Sequence, residues 1–212
     1  IWVANENGTG AQRLTDHRAR DVYPRFSPDG RWIAYSSNRY GNYDVFVMPS
    51  QGGQTRQLTF HTGNDLVVGW TPDSRKVIFQ ASRGAMFPGI PNLYEVSVDG
   101  GLEQVVPTDW GAWGSYSTDG KKLAFNRHPM VWWRKHYRGS YAADLWVTEV
   151  GTKRFTRLGD EEYKGNYLWP MYGNAEIFFV ADRLPNEKAI KPGSAAVVKS
   201  VNNIWKIPER GG

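Results

Sequence analysis

Residues 23–39 read YPRFSPDGRWIAYSSNR and residues 43–58 read YDVFVMPSQGGQTRQL. The first stretch predicts a strand over Tyr23 to Phe26, a turn at Ser27-Pro28-Asp29-Gly30, and a strand from Arg31 to Ser36. In such a turn proline pre-sets φ, aspartate bonds its own backbone, and glycine accepts φ > 0. The second stretch predicts a strand over Tyr43 to Met48, a hairpin at Ser50-Gln51-Gly52-Gly53, and a strand from Gln54 to Thr59. Four short antiparallel strands joined in this way make one propeller blade.

The pattern returns with variations. VVGWTPDSRKVIFQASR (67–83) is followed by PNLYEVSVDGGLEQVV (91–106). WGSYSTDGKKLAFNR (113–127) precedes ADLWVTEVGTKRFTRL (143–158), and YLWPMYGNAEIFFVADR (167–183) precedes VNNIWKIPERGG (201–212). Asp29, Asp73 and Asp119 each stand six residues before an aromatic (Tyr35, Phe79 and Phe125), and Gly173 stands six before Phe179. A third-strand aromatic recurs as Phe46, Tyr94, Trp146 and Trp205, in a series that Trp2 begins. These are expected blade-to-blade packing residues, because a blade must bury both faces against neighbours. Helical periodicity is absent apart from an ambiguous stretch near Ala195 to Lys199. The expected fold is an all-β propeller with blades over about 1–15 (the back half of one), 21–59, 65–106, 112–158 and 166–208 (incomplete). That is about four and a half blades of a longer ring, with at least one more blade outside this sequence.

The composition agrees with a packed domain. Of 212 residues 40% are hydrophobic and 14% aromatic, too many for a disordered chain. There is no cysteine, hence no disulfide framework and no thiolate site. A net charge of +5, spread through the repeats, is weak support for a nucleic-acid partner. No apolar run is long enough for a membrane helix. No G-x-S-x-G elbow is complete, the four histidines lack zinc-site spacing, and the Gly-Gly pairs sit in hairpins rather than in a phosphate loop. No cofactor or metal is expected. His17 and His61 occupy equivalent crossover positions, which makes them repeat features first. Asn7-Gly8-Thr9 matches a glycosylation sequon, but Asn-Gly is also the preferred hairpin turn.

Function is sought where the copies diverge. The hairpin turns are uniform, whereas the second-to-third loops are not: Tyr40 to Tyr43, Gly84 to Pro91, His128 to Ala143, and Leu184 to Asn202. In a propeller these loops all fall on one face, the candidate binding surface. The most specific is HPMVWWRKHYRGSY (128–141). Trp132, Trp133, Arg134, Tyr137 and Arg138 are the candidate contacts for an extended polar chain, by aromatic stacking and by arginine–carboxylate or cation–π contacts. The alternative is that the tryptophans tuck under the loop and the arginines bond carbonyls. Arginine also recurs after the second strand as Arg39, Arg83, Arg127 and Arg183. A shared structural bond, for instance to the turn carboxylate or a neighbouring blade, is one reading. A rim of cations that receives anionic or C-terminal carboxylate groups is the other.

The repeat resembles the WD-like Pro-Asp repeats of the Tol-system propeller, the prolyl-oligopeptidase-type peptidases and the tricorn proteases. VWWRKHYRGSYAADLWV (131–147) looks like a segment of the N-terminal propeller of tricorn-type proteases, through Trp133, Arg134, Tyr137, Arg138, Gly139, Leu145 and Trp146. It departs from that pattern at Ser140 and at an extra residue near His136. The resemblance implies a six-bladed propeller that is itself non-catalytic, handles or gates peptides, and precedes a second propeller and a serine-peptidase domain in the same chain. No catalytic residue of that family maps onto this sequence. The implied partners are peptides or proteins and those sister domains, with no nucleic acid and no membrane, in a bacterial or archaeal cytoplasm or periplasm. The rival expectation is a stand-alone Tol-like protein-binding scaffold.

Overall fold

The computed structural model describes residues 1–84, 89–127, 133–134, 137, 139–159, 165–181 and 203–209. Among them there are strands and no helix. The chain divides into two compact units, one over residues 1–85 and 91–106, the other over residues 86–90 and 107–212.

The first unit opens with a two-stranded ladder, β1 (Trp2–Val3) against β2 (Gln12–Arg13). The turn between them is built by Asn7, whose Oδ1 accepts from the Thr9 N–H and hydroxyl. A four-stranded antiparallel sheet follows: β3 (Asp21–Phe26), β4 (Trp32–Ser37), β5 (Asp44–Pro49) and β6 (Arg56–Gln57), hydrogen-bonded in that order. The second sheet repeats it with β7 (Asp65–Trp70), β8 (Lys76–Ala81), β9 (Asn92–Ser97) and β10 (Gln104–Val105). In the second unit β11 (Gly111–Tyr116), β12 (Lys122–Arg127), β13 (Asp144–Glu149) and β14 (Phe155–Leu158) form another four-stranded sheet. The last has three described strands, β15 (Tyr167–Tyr172), β16 (Glu176–Ala181) and β17 (Asn203–Pro208). The fold is a β-propeller built from consecutive meander blades. The fourth strands are shorter than the sequence suggests: Arg56–Gln57 rather than Gln54 to Thr59.

The recurrent aromatics meet as cross-strand partners. Tyr35 lies opposite Phe46, Phe79 opposite Tyr94, Phe125 opposite Trp146, and Phe179 opposite Trp205. The first two pairs stack, with ring centroids 5.8 and 5.6 Å apart. Period-two alternation then sends neighbouring residues to opposite faces. Tyr35 and Phe46 pack with Ile33 and Met48 toward Ile1 and Leu14, whereas Ala34, Val45 and Val47 pack against Val67, Phe79 and Tyr94 of the next sheet. The second unit repeats the arrangement, with Ala124, Leu145, Val147 and Leu158 against Tyr167, Ile177 and Phe179. The core therefore lies between blades. Burying each large apolar side chain there contributes about 1.5–3 kcal/mol.

A polar pin crosses each of these cores. The fully buried Ser36 hydroxyl donates to the Asp65 carbonyl and accepts from the Val67 N–H. In the second unit Asn126, equally buried, donates to the Tyr167 carbonyl and accepts from the Trp169 N–H. The first strand of each of these sheets also carries a β-bulge, after Val22, Val67, Ala112 and Leu168. Three of the four place an aromatic (Tyr23, Trp113 or Trp169) at left-handed φ. Trp113 and Trp169 pack edge to face at 5.7 Å.

The hairpin turns share one clamp. The Ser27 hydroxyl donates to Asp29 and accepts the Trp32 N–H, while Asp29 accepts the Arg31 N–H. Thr71 with Asp73, and Ser117 with Asp119, repeat these bonds. The bond from Ser27 is the main reason that the Asp29 carboxyl is held down at about 2. Where the second copy has Ser74 in place of glycine, φ is 61°. That serine accepts a hydrogen bond from the Asp29 N–H of the preceding blade. The fourth turn differs from its sequence alignment. The Gly173 N–H pairs with the Glu176 carbonyl, as Ser27 pairs with Trp32, so Gly173 is the counterpart of Ser27 rather than of Asp29. This hairpin is two residues shorter than the others.

Candidate functional site

The opposite end of each blade is formed by the second-to-third loop and by the crossover into the next first strand. One structural device recurs there. The Tyr43 N–H donates to Asn64 in the first unit, and the Ala143 N–H donates to Asn166 in the second, so a crossover asparagine ties down the loop exit. The two crossover histidines are equivalent as well. Nδ1 of His17 accepts the Ala19 N–H and Nδ1 of His61 accepts the Gly63 N–H.

In the long loop of the second unit, Trp133 is 65% exposed and Arg134 is exposed beside it. The Arg134 guanidinium lies 5.2 Å from the centre of the half-buried Tyr137 ring, a cation–π contact. Asn166 donates its side-chain amide to the Arg134 carbonyl, which fixes the base of the loop to the crossover. Gly139 is required by the same packing. A Cβ there would lie 2.0 Å from the Tyr137 hydroxyl. Of the five loop residues singled out from sequence, the structure thus pairs Arg134 with Tyr137 and leaves Trp133, the chain neighbour of Arg134, exposed. Trp132 and Arg138 lie outside the described residues.

The recurrent arginines divide into two kinds. Arg39 pairs with Asp21 at 3.2 Å, bonds the Tyr35 hydroxyl, and stands 4.4 Å from the centre of the Phe46 ring. Arg83 pairs with the fully buried Asp65 and with Glu103 at 3.3 Å, and sits 5.2 Å from both the Phe79 and Tyr94 rings. The partner carboxylate belongs to the first strand rather than to the turn. Burial works against the charge of Arg83, but its bonds to Asp65 and Glu103 outweigh burial and raise its pKa. Arg127 sits two residues earlier in the register. It lies on the ladder opposite Gly111, where Ser37 and Ala81 stand in the other blades. Its partner is the exposed Asp109 at 2.8 Å, and its ring neighbour is Trp146 at 5.4 Å. Arg183 lies outside the described residues.

A cleft of about 380 Å³ opens at the loop end of the first full blade. Tyr40, Asn42, Asp44, Gln57, Phe60 and His61 line it. Asp44 is 3% exposed and begins the third strand. Its carboxylate accepts from Gln57 at 3.1 Å and from Asn42 at 3.4 Å. Burial, and then the neighbouring Asp65 carboxylate, push its pKa up to about 6. At the matching place in the second unit, Asp144 pairs with Arg157 at 2.8 Å. Gln57 and Arg157 are register equivalents, each opposite the third-strand aromatic. The sequence reading did not single out this cleft. Its signal was present in these two copies, where RQL (56–58) aligns with TRL (156–158) while the third strand begins with aspartate in both.

Comparison with known proteins agrees with this architecture. The family model for the "Tricorn protease N-terminal beta propeller domain" matches residues 1–212. The chain is 33% identical over 186 residues to tricorn protease homolog 1 of Streptomyces coelicolor, an alignment that covers 86% of this chain and 17% of that protein. The crystal structure of the tricorn protease superposes with a TM-score of 0.73 at 20% identity, covering 98% of this chain and 19% of that one. TolB from Acinetobacter baumannii superposes with a TM-score of 0.65 at 19% identity, covering 96% of this chain and 44% of that one. The chain thus spans about a sixth of the length of the tricorn homologue it matches. It belongs to the family of tricorn protease N-terminal β-propeller domains.

Proposed function

We propose that this propeller is a non-catalytic, peptide-handling module of a tricorn-like serine peptidase, which gates peptides and contacts sister domains through the loop ends of its blades. The observation that carries this reading is the pairing of Arg134 with the Tyr137 ring beside the exposed Trp133, on a loop anchored by Asn166. An aromatic surface with a guanidinium at its edge suits an extended peptide, because it stacks on peptide planes and can pair a carboxylate. Family membership supplies the parent activity in this proposal. Arg39 and Arg83 are already engaged in ion pairs within their blades and are assigned a supporting role.

The test is a Trp133→Ala/Arg134→Ala variant of the full-length protein. The expected result is altered processing of peptides, with thermal stability within about 0.5 kcal/mol of the parent, as for exposed surface changes. Unchanged processing at every peptide length would contradict the reading. The rival, a Tol-like scaffold with no peptidase attached, shares the fold. Reading the gene separates the two: a serine-hydrolase domain downstream supports the first, and a stop codon after one or two further blades supports the second.

A further inference from the structure

We infer that the cleft around Asp44 is a binding site for a primary ammonium group, such as a peptide N-terminus or a lysine side chain. The cleft lies in the first unit, and the inference stands independently of the Trp133–Arg134 loop.

A nearly buried carboxylate is stabilised by a cation or by a full set of strong donors. Asp144 has a cation in Arg157. Asp44 has neutral donors, Gln57, Asn42 and the Thr59 hydroxyl, feels Arg83 without pairing with it, and faces a second carboxylate at Asp65. The cation next in line, Arg83, is engaged by Asp65 and Glu103. A missing positive charge at the floor of an open cleft is what an incoming ammonium would supply. The rim suits the same guest. Tyr40 and Phe60 are 72% and 74% exposed, and aromatic faces attract ammonium groups. His61 is oriented by its Nδ1 bond to Gly63, which places the proton of its neutral ring on Nε2 as a donor for an adjacent carbonyl. Asn42 is held by the His61 and Gly63 carbonyls at 2.8 Å each, so the wall is built before a ligand arrives. The site therefore offers a carboxylate, two aromatic rims and a ring N–H within one cleft.

The pH dependence follows from the groups that face Asp44. These are Asp65 from the second sheet, Arg83 from the loop after β8, His61 from the crossover, and the neutral Gln57, Asn42 and Thr59. Asp44 carries its charge above about pH 6 and loses it below. Ammonium binding weakens as pH falls through that value. The profile is read against Asp44→Asn.

The experiment is a titration of the full chain, followed by calorimetry and amide NMR, with three short peptides. One has a free N-terminus and no lysine, one is N-acetylated with no lysine, and one is N-acetylated with a single lysine. The expected result at pH 7.5 is binding of ammonium-bearing peptides at Tyr40, Asn42 and Phe60, with the acetylated lysine-free peptide at least about tenfold weaker. Binding of the first peptide alone assigns the site to N-termini, and binding of the third as well assigns it to any primary ammonium. Asp44→Asn weakens binding by about tenfold or more, as loss of one partner of a buried charge pair does. Gln57→Arg, which installs the second unit's own cation, does the same and guards against misfolding of the first variant. Equal binding of the acetylated lysine-free peptide, parental affinity in both variants, or no binding by any peptide would overturn the inference. Altered processing in the Trp133→Ala/Arg134→Ala variant bears only on the loop, so the two readings fail separately.

Discussion

The two ends of each blade are made by the same strands and yet are filled by different rules. At the turn end one clamp, a Ser or Thr hydroxyl bonded to an Asp two residues on, appears three times with the same partners. At the loop end the same ladder positions are filled differently from blade to blade. Asp44 is met by Gln57 where Asp144 is met by Arg157. The recurrent arginines differ as well: Arg83 closes on a fully buried aspartate, whereas Arg127, two residues earlier in the register, closes on an exposed one. A turn has only to reverse the chain, and one solution serves every copy. The loop end bears unpaired charge, exposed aromatics and a cleft, and chemistry of that kind is where repeats are free to differ.

The difference between the two arginine pairs should give the largest effect. Arg83→Ala leaves Asp65 buried without a cation and is expected to cost about 3–5 kcal/mol in urea unfolding. Arg127→Ala opens a pair whose aspartate side chain is 61% exposed and should cost less than about 1 kcal/mol. Similar losses for both would break the distinction. Next in size are the buried pins. Asn126→Ala removes a fully buried amide and its bonds to the Tyr167 carbonyl and the Trp169 N–H, at about 1–3 kcal/mol, measured by the same unfolding curves.

The effect of Asp44 has a sign that pH titration can check. Its folded pKa, about 6, lies above the ordinary carboxylate value, so the folded chain holds a proton that the unfolded chain releases. Its contribution to stability is full below about pH 4 and is lost as pH rises through about 6. Stability should therefore rise by about 1 kcal/mol on acidification from pH 7.5 to 5, and Gln57→Arg should abolish that rise. The turn carboxylates have the opposite sign and act in a lower window. Asp29, Asp73 and Asp119 are depressed, so their support is lost only below about pH 4. Ser117→Ala tests the turn end by itself. It removes the hydroxyl that donates to Asp119 and accepts from the Lys122 N–H, at about 1 kcal/mol by thermal melting.

The blades could be read from the sequence because each strand repeats a period-two pattern with fixed aromatics, and those aromatics do meet across strands. Three features were missed. The bulges after Val22, Val67, Ala112 and Leu168 coincide with Pro24, Gly69, Gly114 and Pro170, breakers inside strand patterns whose meaning as bulges went unread. Arg127 looked equivalent to Arg39 and Arg83, but it stands two residues after Phe125 where they stand four after Tyr35 and Phe79, and the ladder register has the same offset. Gly173 aligned by counting back from Phe179, and the count failed because the hairpin is two residues shorter. At the loop end the conspicuous Trp-Arg-Tyr segment was visible from composition. The Asp44 cleft was hidden because its meaning is a substitution, Gln57 for arginine, that appears only when the fourth strands are set side by side.

The most direct measurement is amide hydrogen exchange of the full chain with and without an excess of a short peptide bearing a free N-terminus. Slowed exchange confined to the loop ends, around Tyr40 to Gly63 or Trp133 to Ala143, with the turns at Ser27 to Trp32 and Ser117 to Lys122 unchanged, is the result predicted here. Protection at those turns, or at neither end, would contradict the division between a structural end and a binding end.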